Sequence, residues 1–105
     1  MGGDLMSVNK VVPVPKIEVI IDYVETKPDS ILKAFARVII ADSFVVNGVK
    51  VLDAGKGLFF AMPSRKYEKD GQERHADICH AITKEMYKEL RKSVLDAYAK
   101  CLQEQ

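Results

Sequence analysis

The sequence predicts an α+β fold: an antiparallel β-sheet of about five strands followed by a C-terminal amphipathic α-helix. Three observations lead there. Between residues 16 and 62, apolar residues recur at every second position with charged residues between them. A strand with one dry and one wet face belongs to an antiparallel sheet. Turn formers cut this stretch into short runs. From Thr83 onward the apolar period lengthens to that of a helix, and neither Gly nor Pro follows. Strands first and a helix last make an α+β arrangement, in which the helix must pack on the sheet.

The elements follow in order. Residues 1–15 read as a flexible N-terminal tail, because Gly2, Gly3 and the Val-Pro-Val-Pro run at 12–15 disfavour helix and central strand. Residues 16–105 read as a single domain. Ile17, Val19, Ile21 and Tyr23 share one strand face, and Glu18 and Asp22 the other. A turn at 26–30 leads to Leu32, Ala34, Ala36, Val38 and Ile40, with Lys33 and Arg37 opposite. Phe44 to Asp53 is strand again, interrupted at Asn47-Gly48. That dipeptide is either a type I′ hairpin turn with very short arms or a bulge in one long bent strand. Ala54-Gly55-Lys56-Gly57 is a turn, Leu58 to Met62 a strand, and Pro63 its stop. Ser64 to Arg74 is a polar, charged loop containing Asp70-Gly71, either a mobile flap or a long hairpin. His75 to Ile82 reads as the final strand. Thr83 is the expected helix N-cap, with Glu85 in the first turn. Met86, Tyr87, Leu90, Val94, Ala97, Tyr98 and Cys101 form one helical stripe. Glu89 with Lys92 and Asp96 with Lys100 stand at pairing distance along it.

Composition narrows the function. A chain of 105 residues and 11.8 kDa buries roughly two-thirds of its unfolded surface, enough for a core without staples. Sixteen basic and 15 acidic residues leave a net charge of +1, so total charge by itself indicates neither a nucleic acid nor a membrane. Two cysteines, Cys79 and Cys101, are too few for a disulfide scaffold and are expected as reduced thiols in a cytoplasmic protein. No apolar run approaches the ~18 residues of a membrane span. The first ten residues lack a signal peptide's apolar stretch. Met6 stands where a myristoylation signal needs Ser or Thr.

Two motifs suggest chemistry without supporting it. His75, Asp77, Cys79 and His80 are all zinc-binding residue types. On one strand, however, His75, Asp77 and Cys79 spread over roughly 13 Å and His80 turns to the other face. The expected roles are a hydrogen-bonded structural His80 within the sheet and a solvated outer face. Nucleophilic chemistry at Cys79 needs a neighbouring base that spacing does not supply. Gly55-Lys56-Gly57 has the look of a phosphate loop but neither the spacing nor the following helix of one. No catalytic residue, metal or cofactor is expected.

Charge placement is more informative than total charge. Residues 56–66 hold Lys56, Arg65 and Lys66 and no acid. On the helix, Lys84, Lys88, Arg91 and Lys92 fall within about 100° of one another, with Glu85, Glu89 and Asp96 to one side. This basic ridge opposes the apolar stripe. It is either an ordinary solvated face or a track for phosphates. Leu95 and Leu102 lie on the ridge side, as incidental leucines or part of a subunit contact. Aromatic residues are too few and too core-compatible to indicate a stacking platform for single strands.

One stretch is familiar. Phe44-Val45-Val46, Val49-Lys50-Val51 and Gly57-Leu58-Phe59-Phe60-Ala61-Met62-Pro63-Ser64-Arg65-Lys66 resemble the stage V sporulation protein G family. Asp77-Ile78-Cys79-His80-Ala81-Ile82 is similar to the family's Asp-Ile-x-His-Pro-Ile motif, with Ala81 in place of its proline. Val94-Leu95-Asp96-Ala97-Tyr98 is similar to its C-terminal helix. The resemblance spans about residues 16–102. It implies a small α+β homodimer linked to division-septum formation and, in spore formers, to sporulation timing. Some members bind DNA or RNA as regulators. That binding carries over naturally to Arg65, Lys66, Lys84, Lys88, Arg91 and Lys92. A division-protein partner held by the sheet or the helix is the alternative. A two-fold assembly also has a physical motive, because an open sheet leaves edges to be protected.

Overall fold

A computed structural model describes residues 13–104. The fold is α+β, with antiparallel sheets followed by one C-terminal helix. Strands β1 (Ile17–Val24), β2 (Leu32–Ile40), β3 (Phe44–Asp53) and β4 (Leu58–Ala61) form a four-stranded sheet in sequence order. Strands β5 (Ser64–Lys69) and β6 (Gln72–Asp77) form a separate two-stranded sheet, and helix α1 spans Lys84–Gln103. The tail expected over residues 1–15 falls mainly outside the described residues. Residues 13–16 are exposed and carry no regular structure.

The core lies between α1 and one face of the large sheet. Ala34, Ala36 and Val38 of β2, with Val49 and Val51 of β3, are fully buried. Leu90, Val94 and Tyr98 meet them from the helix. Burying each large apolar side chain here is worth about 1.5–3 kcal/mol. The two alanines of β2 sit beneath the helix, where small side chains allow close approach. Thr83 caps the helix: its Oγ1 accepts the Met86 backbone N–H at 3.1 Å, satisfying one of the helix's unpaired donors.

Register shifts correct the simple alternation in three places, one of them between Leu32 and Ala34 of β2, where Leu32 pairs with Leu52 and Ala34 with Val51. Ile21 pairs with Ala36 but Tyr23 pairs with Phe35, so β1 carries one extra residue at Asp22. The facing inverts beyond it. Val24 turns into the core, and Tyr23, expected on the apolar face, is 48% exposed. Between Ala36–Val49 and Val38–Val46 the extra residue is on β3. Asn47-Gly48 is therefore a bulge in one bent strand, not a hairpin turn. Gly48 has φ +79°, a conformation that other residues adopt only with strain.

The segment after Pro63 settles one expectation and shifts another. Of the two readings of Ser64–Arg74, a mobile flap or a long hairpin, the hairpin is the one that forms, turned at Asp70 (φ +55°) and Gly71 (φ +76°), the geometry of a type I′ turn. Its return strand begins at Gln72 and ends at Asp77, so the strand expected over His75–Ile82 is displaced. The Ile78 backbone N–H donates to Pro63 O at 2.8 Å and closes the base of the hairpin. From Ile78 the chain bends toward the helix, and Ile82 is 90% exposed. Among the described residues, β5 and β6 contact each other and no other strand or helix. They form a free-standing arm.

Candidate nucleic-acid interface

The helix presents the ridge as its spacing predicts. Lys84, Lys88, Arg91 and Lys92 are all exposed, while Leu90, Val94 and Tyr98 on the far side are buried. The packed stripe thus fixes which way the cations point. Among the described residues none of the four forms a salt bridge, since the ion pairs are Lys16–Asp42, Arg37–Asp22 and Lys66–Glu73. Neither the Glu89–Lys92 nor the Asp96–Lys100 pairing forms. Glu89 instead accepts the Ser93 hydroxyl at 3.3 Å. Exposed ion pairs gain too little to hold two long side chains in place.

The ridge carries a local cost. Lys84 with Lys88 and Lys88 with Lys92 are like charges four residues apart, each opposing the helix by a few tenths of a kcal/mol. Lys84 also stands at the N-terminal end, where the helix dipole disfavours cations. Glu85, in the same first turn, opposes part of this cost.

The other two candidate residues separate. Arg65 and Lys66 are adjacent on β5 and point to opposite faces of the arm. Lys66 Nζ lies 3.5 Å from Glu73 Oε2. Two cations that the sequence reading passed over, Lys69 and Arg74, share Arg65's face. The signal was present in the period-two spacing on either side of Asp70-Gly71. Leu95, placed on the ridge side by its angle, packs against the core, while Leu102 is exposed.

The residues considered for metal chemistry are dispersed. Among the described residues, no group of three His, Cys, Asp or Glu side chains is arranged to hold a metal ion. Cys79 lies beyond the end of β6 and packs against the core. His80, expected within the sheet, is exposed outside it, its Nδ1 3.0 Å from Ala81 O. His75, Asp77 and His80 line one wall of an open groove of about 790 Å³ at the arm's base. Phe60, Met62, Tyr87 and Leu90 form its apolar floor and far wall. The Phe60 and Tyr87 rings stand 5.4 Å apart, which explains how Tyr87 joins the apolar stripe while 51% exposed. Gly55-Lys56-Gly57 lies in the bends joining β3 to β4, with the Gly55 N–H donating to Asp53 Oδ1 at 2.8 Å.

The Lys27 backbone N–H, the Tyr23 hydroxyl and the Thr26 N–H hold Glu25 below the usual carboxylate range. The same hydrogen bond to Glu25 raises Tyr23. Burial raises Tyr98. Among the described residues, no helix is long and apolar enough to cross a membrane.

A small sheet backed by one helix whose outer face is cationic defines a compact α+β domain with a charged presentation surface. The chain matches the SpoVG family over residues 15–100, and it belongs to that family. Three relatives carry the name "Putative septation protein SpoVG". The protein from Lachnospira eligens is 46% identical over 69 residues, covering 66% of this chain and 75% of its own. That from Clostridium perfringens is 42% identical over 69 residues, covering 66% and 73%. That from Macrococcus caseolyticus is 40% identical over 70 residues, covering 67% and 58%. The three relatives are named for septation.

Proposed function

We propose that this chain is a non-enzymatic regulator of division-septum formation, and of sporulation where it occurs, that binds DNA or RNA as a homodimer. Lys84, Lys88, Arg91 and Lys92 of α1 make the principal contacts, with Arg65 and Lys66 nearby in sequence to the arm's base. The role in septation is taken from the names of the relatives. The nucleic-acid reading rests on one observation: four exposed cations on one helix face, none of them ion-paired among the described residues. A duplicated ridge in a dimer would neutralise twice the phosphates, and affinity and salt dependence both scale with that number.

A second reading has its own observation. The sheet face away from α1 carries exposed apolar side chains beside charged ones such as Arg37 and Lys50, with Tyr23, Val45 and Phe59 44–48% exposed. Tyr23 pairs with Phe35 and Val45 with Ile39 across that face. Such a surface suits a division-protein partner or the second subunit.

One experiment separates the readings. Fluorescence anisotropy follows single-stranded RNA, single-stranded DNA and duplex DNA from about 50 mM salt upward, with light scattering on the same samples. Micromolar binding with a steep negative salt slope, lost in Lys88→Glu/Arg91→Glu, supports the ridge, and a mass near twice 11.8 kDa supports the dimer. Absence of binding at low salt overturns the nucleic-acid reading and leaves the adaptor. A monomer mass overturns the dimer.

A further inference from the structure

We propose that the β5–β6 arm is a two-stranded ribbon whose basic face enters the major groove of duplex DNA. This rests on the nucleic-acid reading above and adds a contact that the helix ridge does not contain.

The register sorts the arm's charges by face. Residues directly opposite in an antiparallel pair project to the same side. Arg65 is opposite Ala76, Tyr67 opposite Arg74, and Lys69 opposite Gln72. That face has three cations and no acid. The other face holds Glu68, Glu73 and Asp77 with His75, and a single cation, Lys66, drawn to Glu73 at 3.5 Å. Arg65, Lys66, Lys69 and Arg74 balance Glu68, Asp70, Glu73 and Asp77, so the arm's sum is zero while its two faces are opposite in sign. Glu68 and Glu73 stand directly opposite each other, an arrangement that opposes the hairpin. Charge selected only for solubility would be interspersed across both faces.

The basic face carries the side chains that read base edges. Arg74 Nη2 donates to Gln72 Oε1 at 3.3 Å, so a guanidinium and an amide lie side by side. Arg pairs with guanine and Gln with adenine in two-bond geometries along the major-groove edge. Arg65 and Lys69, at the ends of β5, are placed to reach phosphates. The dimensions agree. Strands of six residues run about 20 Å, and the B-form major groove, about 12 Å wide, admits a two-stranded ribbon. The A-form major groove is too deep and narrow for one, which directs the proposal to duplex DNA and not duplex RNA. Arg65, Tyr67, Lys69, Gln72 and Arg74 are all exposed, so the basic face is open along the arm.

The test uses the full chain and duplexes of about 20 base pairs, two helical turns, as DNA and as RNA of the same sequence. Anisotropy is read for the unaltered chain, Lys69→Gln/Arg74→Gln, the charge control Lys27→Gln in the exposed turn between β1 and β2, and the ridge variant Lys88→Glu/Arg91→Glu. Thermal melting checks that each is folded. The basic-face pair is expected to weaken duplex DNA about tenfold and to reduce the salt slope by about one, for the phosphate contact of Lys69. Lys27→Gln is expected to stay within about twofold on duplex DNA, as is the basic-face pair on duplex RNA. If the pair leaves duplex DNA unaffected while the ridge variant loses it, the arm is overturned and the ridge reading stands. If Lys27→Gln costs as much as the pair, or duplex RNA weakens as much as DNA, the contact is diffuse charge and the ribbon is overturned. If the unaltered chain binds no nucleic acid, the ridge reading fails and the arm with it.

Discussion

The sheet–helix body and the β5–β6 arm are both antiparallel β-structure, yet different forces hold them. In the body, Ala34, Ala36, Val38, Val49, Val51 and Val94 have no exposed surface. In the arm, every strand residue except Ala76 is exposed. The body is ordered by burial. The arm is ordered by a turn with two positive φ angles and by six cross-strand pairs. An isolated two-stranded hairpin is marginal in water. The arm therefore adds little to stability, and its residues are free to answer to a partner. The body's residues answer to packing first.

The largest effect lies in the body. Leu90 is 2% exposed and meets the buried alanines and valines of the sheet. Leu90→Ala is expected to lower unfolding free energy by about 2–5 kcal/mol, the range for large-to-small core changes. Urea denaturation measures it. A loss below about 1 kcal/mol would mean the helix is loosely docked, and the contrast between the two regions would collapse.

A smaller effect is confined to high pH. Burial raises the Tyr98 pKa above its ordinary 10.0, with the charges of Asp53 and Cys101 adding to the shift. The folded chain therefore holds this proton more tightly than the unfolded chain. Its contribution is complete below about pH 10 and is lost as pH rises through the folded value. Tyr98→Phe has no proton to lose, so its urea midpoint should fall less steeply between about pH 9 and 11. Parallel curves would mean the phenol is hydrated, and that the core's edge lies short of Tyr98.

The same division decides what was legible in the sequence. The four strands of the large sheet and the helix announce themselves through apolar periods of two and 3.6, because those periods are the trace of burial. Thr83 and the side of the helix that bears the ridge follow from the same logic. Tyr23 departs from its alternation because one extra residue at Asp22 inverts every later side chain of the strand, and an insertion in pairing leaves no mark on one strand's own alternation. The final strand was drawn too far because Ile78 and Ile82 look like core, yet they are 64% and 90% exposed. The arm's sidedness was hidden for another reason. Its charges cancel when summed along the chain, and they separate only once the register sets which residues share a face.

The smallest effect on global stability, and the sharpest test of the arm's independence, is expected at its tip. Gly71 has φ +76°, and a Cβ there meets nothing within 4 Å, so the position is demanding in backbone and not in space. A β-branched residue forced into that region costs about 1–3 kcal/mol. In Gly71→Val that cost falls on a hairpin with no packing to oppose it. The arm should fray from the tip toward the Ile78–Pro63 hydrogen bond that closes its base. Hydrogen exchange should accelerate at the amides of residues 64–77 and stay unchanged in β2, β3 and α1. The urea midpoint should move by no more than surface substitutions do, about 0.5 kcal/mol. If the whole molecule loses stability with the turn, the arm is a cooperative part of the fold, and its charge pattern must be explained by folding as well as by binding. If only the arm loosens, the body is a complete platform without it, and any binding that disappears with the turn is a property of the arm's order alone.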